Sequence, residues 1–174
     1  LLLYAKLPRF ATPGLALHRL LTDSAANRPR ADGQSMKYRS LDQFLAEGKA
    51  AFAKGPVALI FAEDPVEVET TIRHHLEAGF VQLALFAPDA IAIAAEIEAK
   101  IHRVPYEAPT VEALVEAVNK VIAAAPGIWL YYCYNAEYLF HPFCETRNIR
   151  EMLAFHTEER RDAVLSYVVD LYAD

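Results

Sequence analysis

Asn135, Glu137, His141, Cys144 and Glu145 arrive together in one short stretch, directly after I-W-L-Y-Y-C-Y at 128–134. The run that precedes them is aromatic, β-branched and uncharged, the composition of a strand buried on both faces. Open α/β sheets bind ligands in the crevice beyond the carboxyl ends of their strands, so a buried strand that gives way to ionisable groups marks a candidate site. Two other turns of the same kind carry acids. Glu63 and Asp64 follow V-A-L-I-F-A at 57–62, and Asp89 follows V-Q-L-A-L-F at 81–86. Carboxylates converging from several strand ends can hold a divalent cation and, through it, a diphosphate. The competing reading is local: Asp64 and Asp89 cap helices, and the polar groups after Tyr134 satisfy turn backbone.

Other groups with chemical potential carry less. His141-x-x-Cys144, with Glu145 and His156, has zinc-ligand residue types, but no second Cys pair or H-x-x-x-H completes a set. His74 and His75 sit in a helical pattern with Val68, Ile72, Leu76 and Phe80, which places one imidazole in the core and the other outside. Cys133 falls inside the buried run and is expected to be a core residue. There is no G-x-G-x-x-G, no G-x-x-x-x-G-K-S/T and no G-x-S-x-G, which argues against a Rossmann dinucleotide enzyme, a P-loop enzyme and an α/β-hydrolase.

The elements that must position these residues alternate regularly. Leu41, Phe44, Leu45 and Phe52 predict an amphipathic helix over 41–54, capped by Ser40 and stopped at Gly55-Pro56. A strand over 57–62 leads to a helix through 78, with Asp64 as cap, Pro65 in the first turn and Gly79 past the end. A strand over 81–86, a helix over 90–100, a short strand over 101–106 and a helix capped by Thr110 follow. The strand over 128–134, a helix over 146–155 and a strand over 164–172 complete the series. Strands alternating with helices predict βαβ units, a mostly parallel sheet and helices on both faces through right-handed crossovers.

Residues 1–35 differ in character. Lys6, Arg9, Arg19, Arg28 and Arg30 against Asp23 and Asp32 give a net charge of +3, with Pro8, Pro13 and Pro29 interspersed. A poorly ordered arm with a short helix over 15–21 is expected, followed by the α/β domain over 36–174. The first Met is Met36, and V-V-D-L-Y-A-D closes the chain at a strand-like run, so a piece of a longer protein is expected.

The 174 residues are 54% hydrophobic with a net charge of −6, enough apolar material for one core and the wrong sign for a nucleic-acid footprint. Two cysteines make no disulfide framework, and no apolar run is long enough to span a bilayer. A cytoplasmic protein that does not bind nucleic acid is expected.

P-V-A-L-I-F-A-E-D-P-V-E-V-E-T-T-I-R-H-H-L-E-A-G-F and G-I-W-L-Y-Y-C-Y-N-A-E-Y-L resemble two segments of family 2-like glycosyltransferases with the GT-A fold. The first is similar to that family's opening strand and helix. The second is similar to its W-x-x-x-x-D-A-D-E-F-L segment. The resemblance covers about 57–174, the N-terminal nucleotide-binding part of such a domain. It implies transfer of a sugar from a nucleotide-sugar donor to an acceptor, with a Mn or Mg ion assisting. Glu63, Asp64, Asp89, Tyr134, Asn135 and Glu137 would contact the donor, and Glu137 would be the metal ligand. The chain departs from the family where Tyr134-Asn135-Ala136-Glu137 stands for Asp-Ala-Asp-Glu, so only the glutamate is kept. A non-catalytic α/β binding or interaction module is the alternative.

Overall fold

The structure is a computed structural model and describes residues 2–5, 36–52, 55–107 and 110–170. Its elements are β1 (Leu2–Ala5), β2 (Met36–Lys37), α1 (Leu41–Phe52), β3 (Val57–Phe61), α2 (Val68–Glu77), β4 (Gln82–Ala87), α3 (Ala95–Glu98), β5 (His102–Pro105), α4 (Val111–Ala124), β6 (Leu130–Tyr134), α5 (Ile149–Glu158) and β7 (Ala163–Ser166). The strands form one sheet in the order β2-β5-β4-β3-β6-β1-β7. The five from β2 to β6 run parallel, which makes this a Rossmann-like α/β fold. The expectation of a mostly parallel sheet covered on both faces holds. Among the described residues no helix is long and apolar enough to cross a membrane.

Alternation along the strands divides the core in two. Ala58, Ile60, Leu83, Leu85, Tyr131 and Cys133 face α2, α3 and α5. Val57, Leu59, Phe61, Ala84, Phe86 and Leu130 face α1 and α4. All five residues of β3 are buried, as a central parallel strand requires. Phe44, Phe52, Phe61 and Phe86 are essentially sealed from water and dominate the second face. Each stabilises the fold by about 1.5–3 kcal/mol through burial.

Local signals set several boundaries as expected. Ser40 Oγ accepts from Gln43 N at 3.2 Å, and Thr110 Oγ1 accepts from Ala113 N at 3.2 Å. Gly79 follows α2 at φ +101°, the left-handed turn a glycine permits.

Other expectations are corrected. The helix over 90–100 shrinks to α3, because the loop before it is braced elsewhere. Buried Arg103 Nη2 donates to Pro88 O at 2.7 Å and to Ile91 O at 2.8 Å, holding 88–91 irregular. Asp89 lies exposed in that turn and caps no helix. The helix after Asp64 begins three residues later than its proline suggests, at Val68. Asp64 Oδ1 instead accepts from Val66 N at 2.8 Å, closing a turn before the helix. The last strand is short, with 167–170 irregular beyond it. Within the N-terminal arm, residues 2–5 form a strand that lies antiparallel between β6 and β7. The expected helix over 15–21 lies outside the described residues.

One crossover departs from the right-handed rule. β3 passes through α2 to β4, and β4 through α3 to β5, on the first face; β2 passes through α1 to β3, and β5 through α4 to β6, travelling the opposite way on the second face. These four share one hand, the right-handed one by the general rule. β6 passes through α5 to β7 in that second direction but on the first face, so its hand is opposite. The cause is the docking of α5 on α2. Ile149 N donates to Ala78 O at 2.8 Å, and Asn148, held in a capping box with Glu151, packs against Gly79.

A Cβ at position 79 would lie 3.1 Å from Asn148 Cβ as well as on a left-handed backbone. Gly79→Ala is expected to lower the unfolding free energy by about 2 kcal/mol in urea titrations, combining backbone strain with disturbance of the α5 cap.

Candidate functional site

The site grows from the ends of β3 and β6, the neighbours at which the strand order reverses. In such sheets this reversal opens the ligand crevice. Asn135 N donates to Phe61 O at 3.1 Å, carrying the ladder one residue past β6. Its side chain then joins the two exits. Asn135 Oδ1 accepts from Glu63 N at 3.0 Å; its Nδ2 donates to Asp64 Oδ1 at 2.8 Å and to Val66 O at 2.9 Å. Both ends of the amide are therefore matched. The segment after Asn135 is fastened to α2 as well: Ala136 N donates to Thr71 Oγ1 at 2.9 Å, and His74 Nε2 donates to Leu139 O at 2.8 Å. Tyr138 OH donates to Glu67 Oε2 at 3.1 Å and lies 2.9 Å from Thr70 Oγ1. Ala136 and Glu67 both hold left-handed backbone, at φ +62° and +54°.

These contacts give each predicted residue a definite place. Glu63 is exposed at the exit of β3. Asp64 and Asn135 bond each other. Asp89 stands exposed after β4, the strand next to β3. Glu137 turns back: its Oε2 accepts from Tyr134 N at 2.8 Å. Among the described residues no three His, Cys, Asp or Glu side chains are arranged to hold a metal ion. Around Glu137, one carboxylate oxygen is already engaged by Tyr134 N.

Tyr106 belongs to the site and escaped the sequence reading. It follows β5 and reaches across β4, its ring 5.2 Å from that of Phe61 and 6.2 Å from that of Phe86, both edge-on. Its hydroxyl is buried without a hydrogen-bond partner. Burial pushes the phenols of Tyr106 and Tyr134 above their ordinary range, and the Glu63 carboxylate beside them adds to it. Both stay protonated as donors near neutral pH. The signal available in the sequence was position: Tyr106 closes the short run 101–106 at a strand's carboxyl end. The N-terminus of α2 lies close by, just after the Val66 carbonyl that Asn135 holds, and no side chain caps it. Helix N-termini of this kind favour anions.

His75 and Cys133, together a possible base and nucleophile, are structural. His75 is fully buried, donates from Nδ1 to Thr71 O at 2.7 Å, and lies stacked on Tyr131 at 5.1 Å. Its Nε2 meets Cys133 Sγ at 3.9 Å. Burial pushes the imidazole down to about 4 and pushes the thiol up, the latter helped by Glu137. A thiolate–imidazolium pair is therefore disfavoured, and neither group meets solvent.

Asn135→Asp removes the amide donor and sets a second carboxylate against Asp64. It is expected to cost about 2 kcal/mol at neutral pH, and the deficit shrinks on acidification as the new carboxyl, its folded pKa raised, takes up a proton. Buried neutral His75 has a folded pKa of about 4, below its unfolded value. Its contribution is complete above pH 6.5 and falls as pH drops towards 4, by about 3 kcal/mol in all. Equilibrium unfolding of His75→Gln between these pH values is expected to show a correspondingly flatter profile.

No protein-family model matches the chain, and neither a curated protein nor a solved structure shows significant similarity to it.

Proposed function

We propose that the crevice between β3 and β6 binds the nucleotide part of a nucleotide-sugar donor, in a domain of glycosyltransferase type that passes the sugar to an acceptor. The observation that carries this reading is the Asn135 clamp at the point where the strand order reverses. It holds the two strand exits at a fixed separation, the preorganisation a ligand site needs. Three groups then supply complementary chemistry. The uncapped start of α2 suits a diphosphate, exposed Glu63 can accept from ribose hydroxyls, and the Tyr106–Tyr134 wall offers aromatic surface with phenol donors. Asp89 stands on the same rim for the sugar or the base.

The second reading, a non-catalytic nucleotide-binding module, draws on the carboxylates. Glu137 is bonded to Tyr134 N and Asp64 to Asn135, so neither is free, as placed, to hold the divalent ion that would neutralise a departing diphosphate. Binding is therefore proposed to rest on hydrogen bonds and the helix terminus. Mn or Mg would add to it only if Glu137 left Tyr134.

Differential scanning fluorimetry with UDP, GDP and their sugar conjugates, each with and without Mn, tests both readings. At a hundredfold excess over Kd, a binding nucleotide stabilises the native state by about 2.7 kcal/mol, a rise of several degrees in Tm. The expected result is a rise with at least one nucleotide, little changed by metal and reduced by Glu63→Gln. A flat response to every nucleotide would sink the donor-site proposal. Stabilisation without release of sugar to water or any supplied acceptor would favour the module.

A further inference from the structure

A second concavity lies away from the crevice. Between the C-terminal half of α2, residues 139–148 and the start of α5 is a cleft of about 570 Å³. Its lining includes Phe140 and His74, the carboxylates Glu77, Glu145 and Glu151, and the guanidinium of Arg147. α2 starts at the crevice and ends at this cleft, so the two sites occupy opposite ends of one helix.

Two independent features single out this surface. The first is aromatic exposure. Phe140 and Phe143 are each 70% exposed, and the ring of Phe140 lies 5.5 Å from His74. Phe143 also holds a left-handed backbone at φ +64°, a conformation that bulky residues rarely adopt. Exposed aromatic surface on a strained, hydrogen-bonded turn is a feature of interaction sites. The second is charge. Three carboxylates and one guanidinium line the cleft; among the described residues Glu77, Glu145 and Arg147 form no close ion pair, and Glu77 is acted on from outside the cleft by Arg73 of α2. Glu151 has one oxygen on Asn148 N, which leaves the other available.

An aromatic face beside excess carboxylate is the recognition chemistry of an organic cation, through cation–π attraction and charge-assisted hydrogen bonds. We propose that this cleft docks a lysine- or arginine-bearing extended segment of a partner protein, one cationic side chain entering between Phe140 and the Glu77–Glu145 pair. The segment's remaining basic residues lie along the acidic rim. The docking surface is independent of the donor site and does not rest on it.

Fluorescence anisotropy with a short fluorescein-labelled lysine–serine peptide and the full chain tests the proposal. Saturable binding is expected, weakened about fivefold by Phe140→Ala, the size of one partly desolvated cation–π contact. Glu77→Gln with Glu145→Gln should weaken it at least as much. The chain is acidic overall, so Glu112→Gln with Glu116→Gln, on α4 across the sheet, serves as the control and should leave binding unchanged. A glutamate–serine peptide should not bind. The proposal fails if the control weakens binding equally, if no saturable binding occurs, or if spermidine binds as tightly as the peptide, which would make the site one for small polyamines. Phe140 is exposed, and an unchanged urea midpoint for its variant confirms that lost binding is not lost folding.

Discussion

The amide of Asn135 is the constraint on which the rest of this architecture depends. One side chain satisfies a backbone donor after β3, a backbone carbonyl before α2 and the carboxylate of Asp64. It converts two loops far apart in sequence into one rigid rim. The segment after it cannot swing to the opposite face, because Ala136, Tyr138 and Leu139 are each bonded to α2. The chain therefore starts α5 beside the end of α2, and the β6-to-β7 crossover takes the less common hand. Each of these bonds contributes about 1 kcal/mol. Together with the burial of Ile149 and Leu153, they hold the connection on this face of the sheet.

The same economy of bonding shapes the chemistry of the crevice. Groups that look catalytic in isolation are committed to holding the rim. Asp64 closes a turn and meets Asn135, and Glu137 accepts from the backbone N–H of Tyr134 at the end of β6. What remains for a ligand is an uncapped helix terminus, the exposed acids Glu63 and Asp89, and two phenols kept protonated by burial. Such a set favours recognition by hydrogen bonding over metal-assisted leaving-group chemistry, which is why the two functional readings diverge on the role of a cation rather than on the place of binding.

Beneath the rim, His75 and Cys133 illustrate how burial decides the role of a reactive pair. Desolvation disfavours the charged form of each group, so the thiol stays neutral and the imidazole stays neutral. Their contact helps seat α2 on the sheet through Tyr131. Proximity to the crevice does not make them part of it, since the sheet's own packing lies between.

The sequence by itself determined the α/β class, the uninterrupted burial of β3, the core position of Cys133, the caps at Ser40 and Thr110 and the left-handed glycine after α2. These follow from periodicity and from the conformational limits of single residues, which act over a turn or less. It also marked the end of β6 as a place where polar groups gather, because a hydrophobic run ending in polar groups is visible along the chain. Only the tertiary structure decided that residues 2–5 wedge between β6 and β7, that Arg103 unwinds the start of the expected helix over 90–100, and that Tyr106 reaches the site. It alone decided that Asn135 and Glu137 meet backbone rather than open space. All of these depend on partners brought together across the sheet, and the energy of a hydrogen bond between distant segments leaves no periodic trace in the order of the residues.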